Sequence, residues 1–238
     1  GRRKVVGARD VRTSSDMLGA ALASGLMQNG ADVVDVGLLP PGGLSREIQI
    51  KEAHAGVMIT ASHNPPQYNG IKVMNGAGRG FSPDQDLELE AVYFSDYAAE
   101  PDAPTGADGR AMVGRMTRFG DAIGDYIESM LDFVTGLYPD GNPLKVVVDA
   151  GGGNASKITP VVLSRFGCKV VQLNCAYDGE FTARPSEPTP ETLSGLSELV
   201  VEEGAAFGVG HDGDSDRTVF VDERGHFVQG DRTATFPL

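Results

Sequence analysis

Two short segments carry residue types whose spacing suits chemistry better than core packing. In Asp212-Gly213-Asp214-Ser215-Asp216-Arg217, a carboxylate falls at every second residue. Acids so close repel one another, and a solvated turn gives no reason to collect them. Convergence on one hard cation does, because such ions take oxygen ligands. Asp212, Asp214, Asp216 and Glu223 also stand at the first, third, fifth and twelfth places of an EF-hand calcium loop. Arg217 replaces the glycine that loop needs for its sharp turn, and strands rather than helices are predicted around it, so Mg2+ is the expected ion. The second segment is Thr60-Ala61-Ser62-His63-Asn64-Pro65-Pro66. A serine directly after a buried strand lies at the sheet end where open α/β folds bind ligands. His63 and Asn64 add donors, and Lys72 follows on the next strand. On spacing alone, a polar turn built by Asn and Pro accounts for the segment equally well. No Gly-x-Ser-x-Gly elbow surrounds Ser62, which argues against a hydrolase triad.

Other residues carry weaker signals. Gly151-Gly152-Gly153-Asn154 follows a strand and could cradle a phosphate, but neither G-x-G-x-x-G nor the P-loop pattern is complete, so a strand-to-helix turn is expected. His54 reads as an ordinary polar or packing residue. His211 either packs or hydrogen-bonds a carboxylate of the acidic loop. Cys168 opens a buried strand as core.

These segments need sheets to hold them, and the chain alternates accordingly. Lys4–Gly7, Ala31–Val36, Gly56–Thr60 and Gly70–Met74 read as strands. A helix runs from Ser14 or Ser15, as N-cap, to the Asn29-Gly30 stop, with Met17, Leu18, Ala21, Leu22, Gly25 and Leu26 on one face. Leu44–His54 and Leu87–Tyr93 read as helices, and Ala98–Gly109 as a connector. The alternation then restarts. Ile123, Tyr126, Ile127, Met130, Leu131 and Val134 mark an amphipathic helix. Leu144–Asp149 is nearly all apolar, as suits a parallel strand covered on both faces. A helix up to Phe166, strand Cys168–Leu173, the Pro-rich loop Asp178–Pro190, helix Glu191–Glu203 and strand Ala205–Val209 follow. The expected architecture is two successive α/β units with mainly parallel, mixed sheets in three layers.

Composition excludes several classes. The 238 residues hold 20 Lys+Arg against 33 Asp+Glu, a net charge of −13, which is the wrong sign for a general nucleic-acid binder. Seven of those net negative charges fall between Phe81 and Arg110, a solvated helix and connector, so the acidity says little about a partner. Two cysteines cannot make a disulfide framework. No apolar run reaches transmembrane length and no signal peptide opens the chain, so a cytoplasmic protein without a membrane partner is expected.

Taken together, the motifs resemble those of the α-D-phosphohexomutases. Thr60–Pro66 followed by Gly70-Ile71-Lys72 resembles that family's phosphoserine loop, and Asp212–Arg217 resembles its magnesium loop, D-G-D-x-D-R. Arg9-Asp10-Val11-Arg12 and Asp178–Pro190 resemble its early arginine loop and the Pro-rich segment before the metal loop. The resemblance implies domain 1 over residues 1–115, domain 2 over 116–228 and the start of domain 3 over 229–238, with an opening strand and glycine-rich loop before Gly1 and the rest of domain 3 and a fourth domain after Leu238. It implies phosphoryl exchange between Ser62 and a hexose phosphate through a 1,6-bisphosphate, with glucose 1,6-bisphosphate as activator. It implies Mg2+ on Ser62, Asp212, Asp214 and Asp216, with Lys72, Arg217, Arg12 and His63 as further catalytic residues. Lys72 is a proton carrier if burial depresses its pKa, Arg12 orients the serine loop, and His63 donates a positioning hydrogen bond. Mannose and glucose phosphates are the expected substrates, with glucosamine phosphate, or a magnesium-binding or regulatory module without turnover, as alternatives. Oligomeric state is not legible. Pro40-Pro41-Gly42, Ala8 and Thr182-Ala183 depart from the family pattern without touching the serine or the aspartates.

Overall fold

The computed structural model describes residues 2–95, 105, 111–141 and 143–233. The first unit contains β1 (Lys4–Arg9), α1 (Ser15–Gln28), β2 (Asp32–Leu38), α2 (Pro41–Ile50), β3 (Ala55–Ile59), β4 (Ile71–Asn75), α3 (Pro83–Phe94) and β5 (Met116–Arg118). After α4 (Ala122–Leu137), the second contains β6 (Lys145–Asp149), a 3-10 turn (Asn154–Lys157), α5 (Thr159–Arg165), β7 (Lys169–Leu173), α6 (Ser194–Glu202), β8 (Phe207–His211), β9 (Thr218–Asp222), β10 (Phe227–Val228) and α7 (Gly230–Thr233). The connector expected at Ala98–Gly109 falls almost wholly outside the described residues, as do residues 234–238.

Among the described residues each unit holds a five-stranded mixed sheet, ordered β4-β3-β1-β2-β5 and β10-β9-β8-β6-β7. β3, β1, β2 and β5 run parallel, with β4 antiparallel at the edge. β7, β6 and β8 run parallel, with β9 and β10 antiparallel beyond them. Side-chain alternation decides the layers. Val6, Ala8, Val36 and Met58 pack with Leu44 and Ile48 of α2 and Ala122 of α4. Val5 and Val57 pack on the opposite face with Leu22 and Leu26 of α1. In β6 the continuous apolar run is used on both sides. Val147 meets Leu193 and, from α6, Leu196 and Val200, while Val146 and Val148 meet Leu163 of α5. All three valines are fully buried, as a doubly covered parallel strand requires.

Several expectations need adjusting. β5 joins the first sheet, so that sheet takes residues to Arg118 rather than ending by 115. Neither serine caps α1 through its side chain. The Ser15 hydroxyl donates to Asp10 instead, and Ser14 Oγ accepts from Asn69. α2 starts at Pro41, since proline is tolerated in a first helical turn, and ends at Ile50. Among the described residues, no helix is long and apolar enough to cross a membrane. α4 belongs to neither unit alone: Ile123 and Tyr126 pack against the first core and also beside Ile127, Leu131, Ile158 and Val162 in the second.

Candidate active site

β3 and β8 present their C-terminal ends to one another, and the loops leaving them meet. Ser62 is buried and has φ of +52°, a left-handed conformation that a non-glycine residue adopts at a cost of about 1–3 kcal/mol. Its surroundings hold it there. Ser62 N–H donates to Thr60 Oγ1 at 2.8 Å, while its carbonyl accepts from Arg12 Nη2 at 2.8 Å and Ser186 Oγ at 3.0 Å. Ser62 Oγ then donates to Asp212 Oδ2 at 2.9 Å, across 150 residues of sequence. The serine and the acidic loop form one site.

Asp212, Asp214 and Asp216 each offer an oxygen, all within 4.8 Å of one another. Asp212 and Asp214 are buried. Burial, with the charges of Asp214 and Asp216, pushes the Asp212 carboxyl up to about 7. Asp214 Oδ1 is a buried oxygen with no hydrogen-bond partner. A buried carboxylate oxygen left unpaired is costly unless it has a cation to serve, and three clustered carboxylates suit a hard one. The residues present therefore fit Mg2+.

Lys72 Nζ lies 2.9 Å from Asp214 Oδ2 and 3.2 Å from Asp216 Oδ2. Burial alone would lower its pKa, but the hydrogen bond and charge of Asp214, with those of Asp216, outweigh burial and raise it. In this arrangement Lys72 is a cation held between the two carboxylates. Arg12 lies against the serine loop. It is almost wholly buried, pairs with Asp10 at 2.9 Å, and donates to the carbonyls of Ser62, Asn64, Pro65 and Tyr68. It grips the backbone of the serine loop, as a positioning residue, and its bonds go to carbonyls rather than to Ser62 Oγ.

Arg217 N–H donates to Asp212 Oδ1, and its guanidinium reaches Glu187 Oε1 at 3.0 Å and His63 Nδ1 at 2.6 Å. His63 Nε2 faces Glu187 Oε2 at 3.3 Å. His211 sits beneath the loop, its ring nitrogens bonded to Thr159 Oγ1, Thr218 Oγ1 and the Arg217 carbonyl, and burial lowers its pKa to about 4. It packs: among the described residues its hydrogen-bond partners include no carboxylate. Gly151–Gly153 is the expected structural turn. Gly151 and Gly152 have positive φ, and a Cβ on Gly151 would strike the guanidinium of Arg184 at 2.6 Å.

Four contributors were not singled out from the sequence. Thr60 Oγ1 lies 2.7 Å from Asp10 Oδ2 and 3.1 Å from Asp214 Oδ2, bridging the two loops. Asp10 joins Thr60, Ser15 and Arg12. Ser186 and Glu187 come from the Pro-rich loop. A carboxylate closing a buried strand was a usable signal for Asp10, whereas nothing in the residue pattern marks Ser186 or Glu187.

Comparison with known proteins gives consistent matches. "Phosphoglucomutase/phosphomannomutase, alpha/beta/alpha domain I" matches residues 1–100, and domain II of the same description matches residues 124–225. Among curated proteins, a phosphoglucomutase/phosphomannomutase of Thermococcus kodakarensis is 41% identical over 98% of this chain and 49% of its own length. A probable phosphoglucosamine mutase of Methanopyrus kandleri is 40% identical over 92% of this chain and 46% of its own. The chain spans about half the length of the curated relatives it matches. Among solved structures, a phosphoglucomutase/phosphomannomutase family protein of Burkholderia thailandensis superposes with a TM-score of 0.82 at 30% identity, over 98% of this chain and 49% of the other.

Proposed function

Since the chain belongs to the phosphoglucomutase/phosphomannomutase family, we propose that it supplies the phosphoryl-carrying half of a phosphohexomutase. In this reading Ser62 Oγ takes a phosphoryl group and exchanges it with a hexose monophosphate through a 1,6-bisphosphate, interconverting 1- and 6-phosphates. The observation that carries the reading is the Ser62 Oγ–Asp212 Oδ2 hydrogen bond, which sets a strained, immobilised serine against three clustered carboxylates.

The residues suit phosphoryl transfer, which depends on positioning and charge neutralisation more than on covalent invention. Donating its proton to Asp212 leaves the Ser62 oxygen lone pairs available to phosphorus. Arg12, Thr60 and Ser186 fix the loop backbone, so the nucleophile has little freedom left to lose at the moment of reaction. Lys72 Nζ and the Arg217 guanidinium supply fixed positive charge beside the transferring group. Asp212, Asp214, Asp216 and the Ser62 oxygen would hold Mg2+, which when bound adds Lewis-acid neutralisation of phosphoryl charge. Glucose 1,6-bisphosphate would charge the serine.

Glucose and mannose phosphates are the proposed substrates. Glucosamine phosphate is a second reading, favoured by the probable phosphoglucosamine mutases of Methanopyrus kandleri and Methanocella arvoryzae at 40% and 41% identity. The test uses the full-length protein and labelled glucose 1,6-bisphosphate. Wild type is expected to gain one phosphate on Ser62, and Ser62→Ala none. Equal labelling of both would refute the assignment, and a magnesium-binding wild type that takes no label would favour a module without turnover. Relative kcat/KM on the glucose, mannose and glucosamine phosphates then decides the sugar.

A further inference from the structure

Glu187 lies in the loop between Arg184 and Pro188, and neither loop that defines the site contains it. Its two carboxylate oxygens face two different side chains of that site. Oε1 takes the Arg217 guanidinium at 3.0 Å, and Oε2 faces His63 Nε2 at 3.3 Å. The triangle closes because Arg217 Nη2 lies 2.6 Å from His63 Nδ1. One carboxylate thus ties a residue of the serine loop to a residue of the acidic loop. The preceding residue, Ser186, donates to the Ser62 carbonyl, so consecutive residues hold the serine backbone and the two side chains beside it.

Elementary chemistry assigns the protons. Arginine has no acceptor, so His63 Nδ1 must accept from Arg217, and the ring proton must sit on Nε2. Nε2–H then needs an acceptor, which is Glu187 Oε2. We propose that Glu187 is a positioning residue for phosphoryl transfer: it aims the Arg217 guanidinium and keeps His63 as the Nε2–H tautomer, with Nδ1 turned to Arg217. This rests on the mutase reading for its consequence but not for its geometry. Glu187, His63 and Arg217 are each about two-fifths exposed, so the triangle adds little to stability. Its effect is orientation, where a displacement of about 1 Å can cost on the order of a hundredfold in rate.

The test has two arms. The chain contains four histidines, so long-range 1H–15N correlation resolves each ring, with His63 identified by its loss in His63→Asn. Wild type is expected to show the Nε2–H pattern at His63, and Glu187→Ala a mixture of tautomers. Glu187→Gln is isosteric, yet its amide offers an acceptor at one end only, so it too should alter the His63 signals. An unchanged His63 pattern in both variants would overturn the proposal. In the full-length enzyme, Glu187→Ala is expected to lower kcat about 10- to 100-fold with KM changed less than about threefold, and Glu187→Asp to recover part of the loss. A wild-type kcat in Glu187→Ala would also overturn it. If wild type itself takes no phosphate at Ser62, the mutase reading fails, and the tautomer arm still decides whether Glu187 sets this geometry.

Discussion

Replacing Arg12 by Met tests whether the serine loop is held from below. Methionine keeps much of the aliphatic bulk, so the change removes charge and hydrogen bonds more than volume. The first loss is the ion pair with Asp10, both of whose side chains are fully buried. Breaking such a pair on one side costs about 3–5 kcal/mol, because the remaining charge stays buried. Four carbonyls also lose donors. Those of Asn64, Pro65 and Tyr68 belong to partly or fully exposed residues that water can serve. The carbonyl of buried Ser62 keeps Ser186, so its loss falls at the low end of about 1–3 kcal/mol. The expected total is about 4–6 kcal/mol, a large share of the roughly 5–15 kcal/mol of a native protein. Urea unfolding of wild type, Arg12→Met, Asp10→Asn and the double variant measures it. Because the orphaned Asp10 charge dominates, the double variant should be more stable than the sum of singles by about 1–3 kcal/mol. A loss below about 1 kcal/mol for Arg12→Met, or strict additivity, would show that Arg12 does not hold the loop.

Three further outcomes are expected. Asp214→Asn should weaken Mg2+ binding at least tenfold by calorimetry, since it removes a ligand and a charge; unchanged affinity would exclude Asp214 as a ligand. With Asp212 raised from 3.8 to about 7, the folded protein holds a proton that the unfolded chain releases, so without Mg2+ stability should fall as pH climbs through that interval. Apparent Mg2+ affinity should rise over the same interval as the ligand deprotonates, and a flat profile from pH 5.5 to 7.5 would contradict the assignment. Gly213→Ala should destabilise by about 1–3 kcal/mol and slow labelling of Ser62, because its Cβ would meet Ser186 Oγ at 2.7 Å and the Ser62 carbonyl at 2.8 Å; a neutral effect on both would mean that the two loops have slack.

The parts readable from sequence were those in which local composition carries the information. Alternating carboxylates mark a cluster and the three consecutive valines of β6 mark a doubly covered strand within a few residues, whereas the serine after β3 could on spacing alone equally be a polar turn. The remainder depends on contacts that cross the chain. Thr60 meets Asp214 across 154 residues and Ser186 meets Ser62 across 124, so no local window could pair them. β5 was missed for another reason: its three residues are all exposed at a sheet edge, and no apolar alternation marks them. Lys72 shows the limit of residue type alone. A lysine near a buried site can be pushed either way, and two carboxylates decided the direction here.

The position of α4 constrains how this protein can be taken apart. Since Ile123 and Tyr126 contribute to both cores, no cut between the sheets leaves two intact halves. Truncation before Ala122 strips a wall from the first sheet, and truncation after Leu137 leaves α5 with a bare flank. Either way the serine loop and the acidic loop end up on separate pieces, each missing part of its own support. Unfolding of the first sheet should therefore drag the second along with it. Attempts to graft the acidic loop into another scaffold would have to carry both sheets and the helix between them.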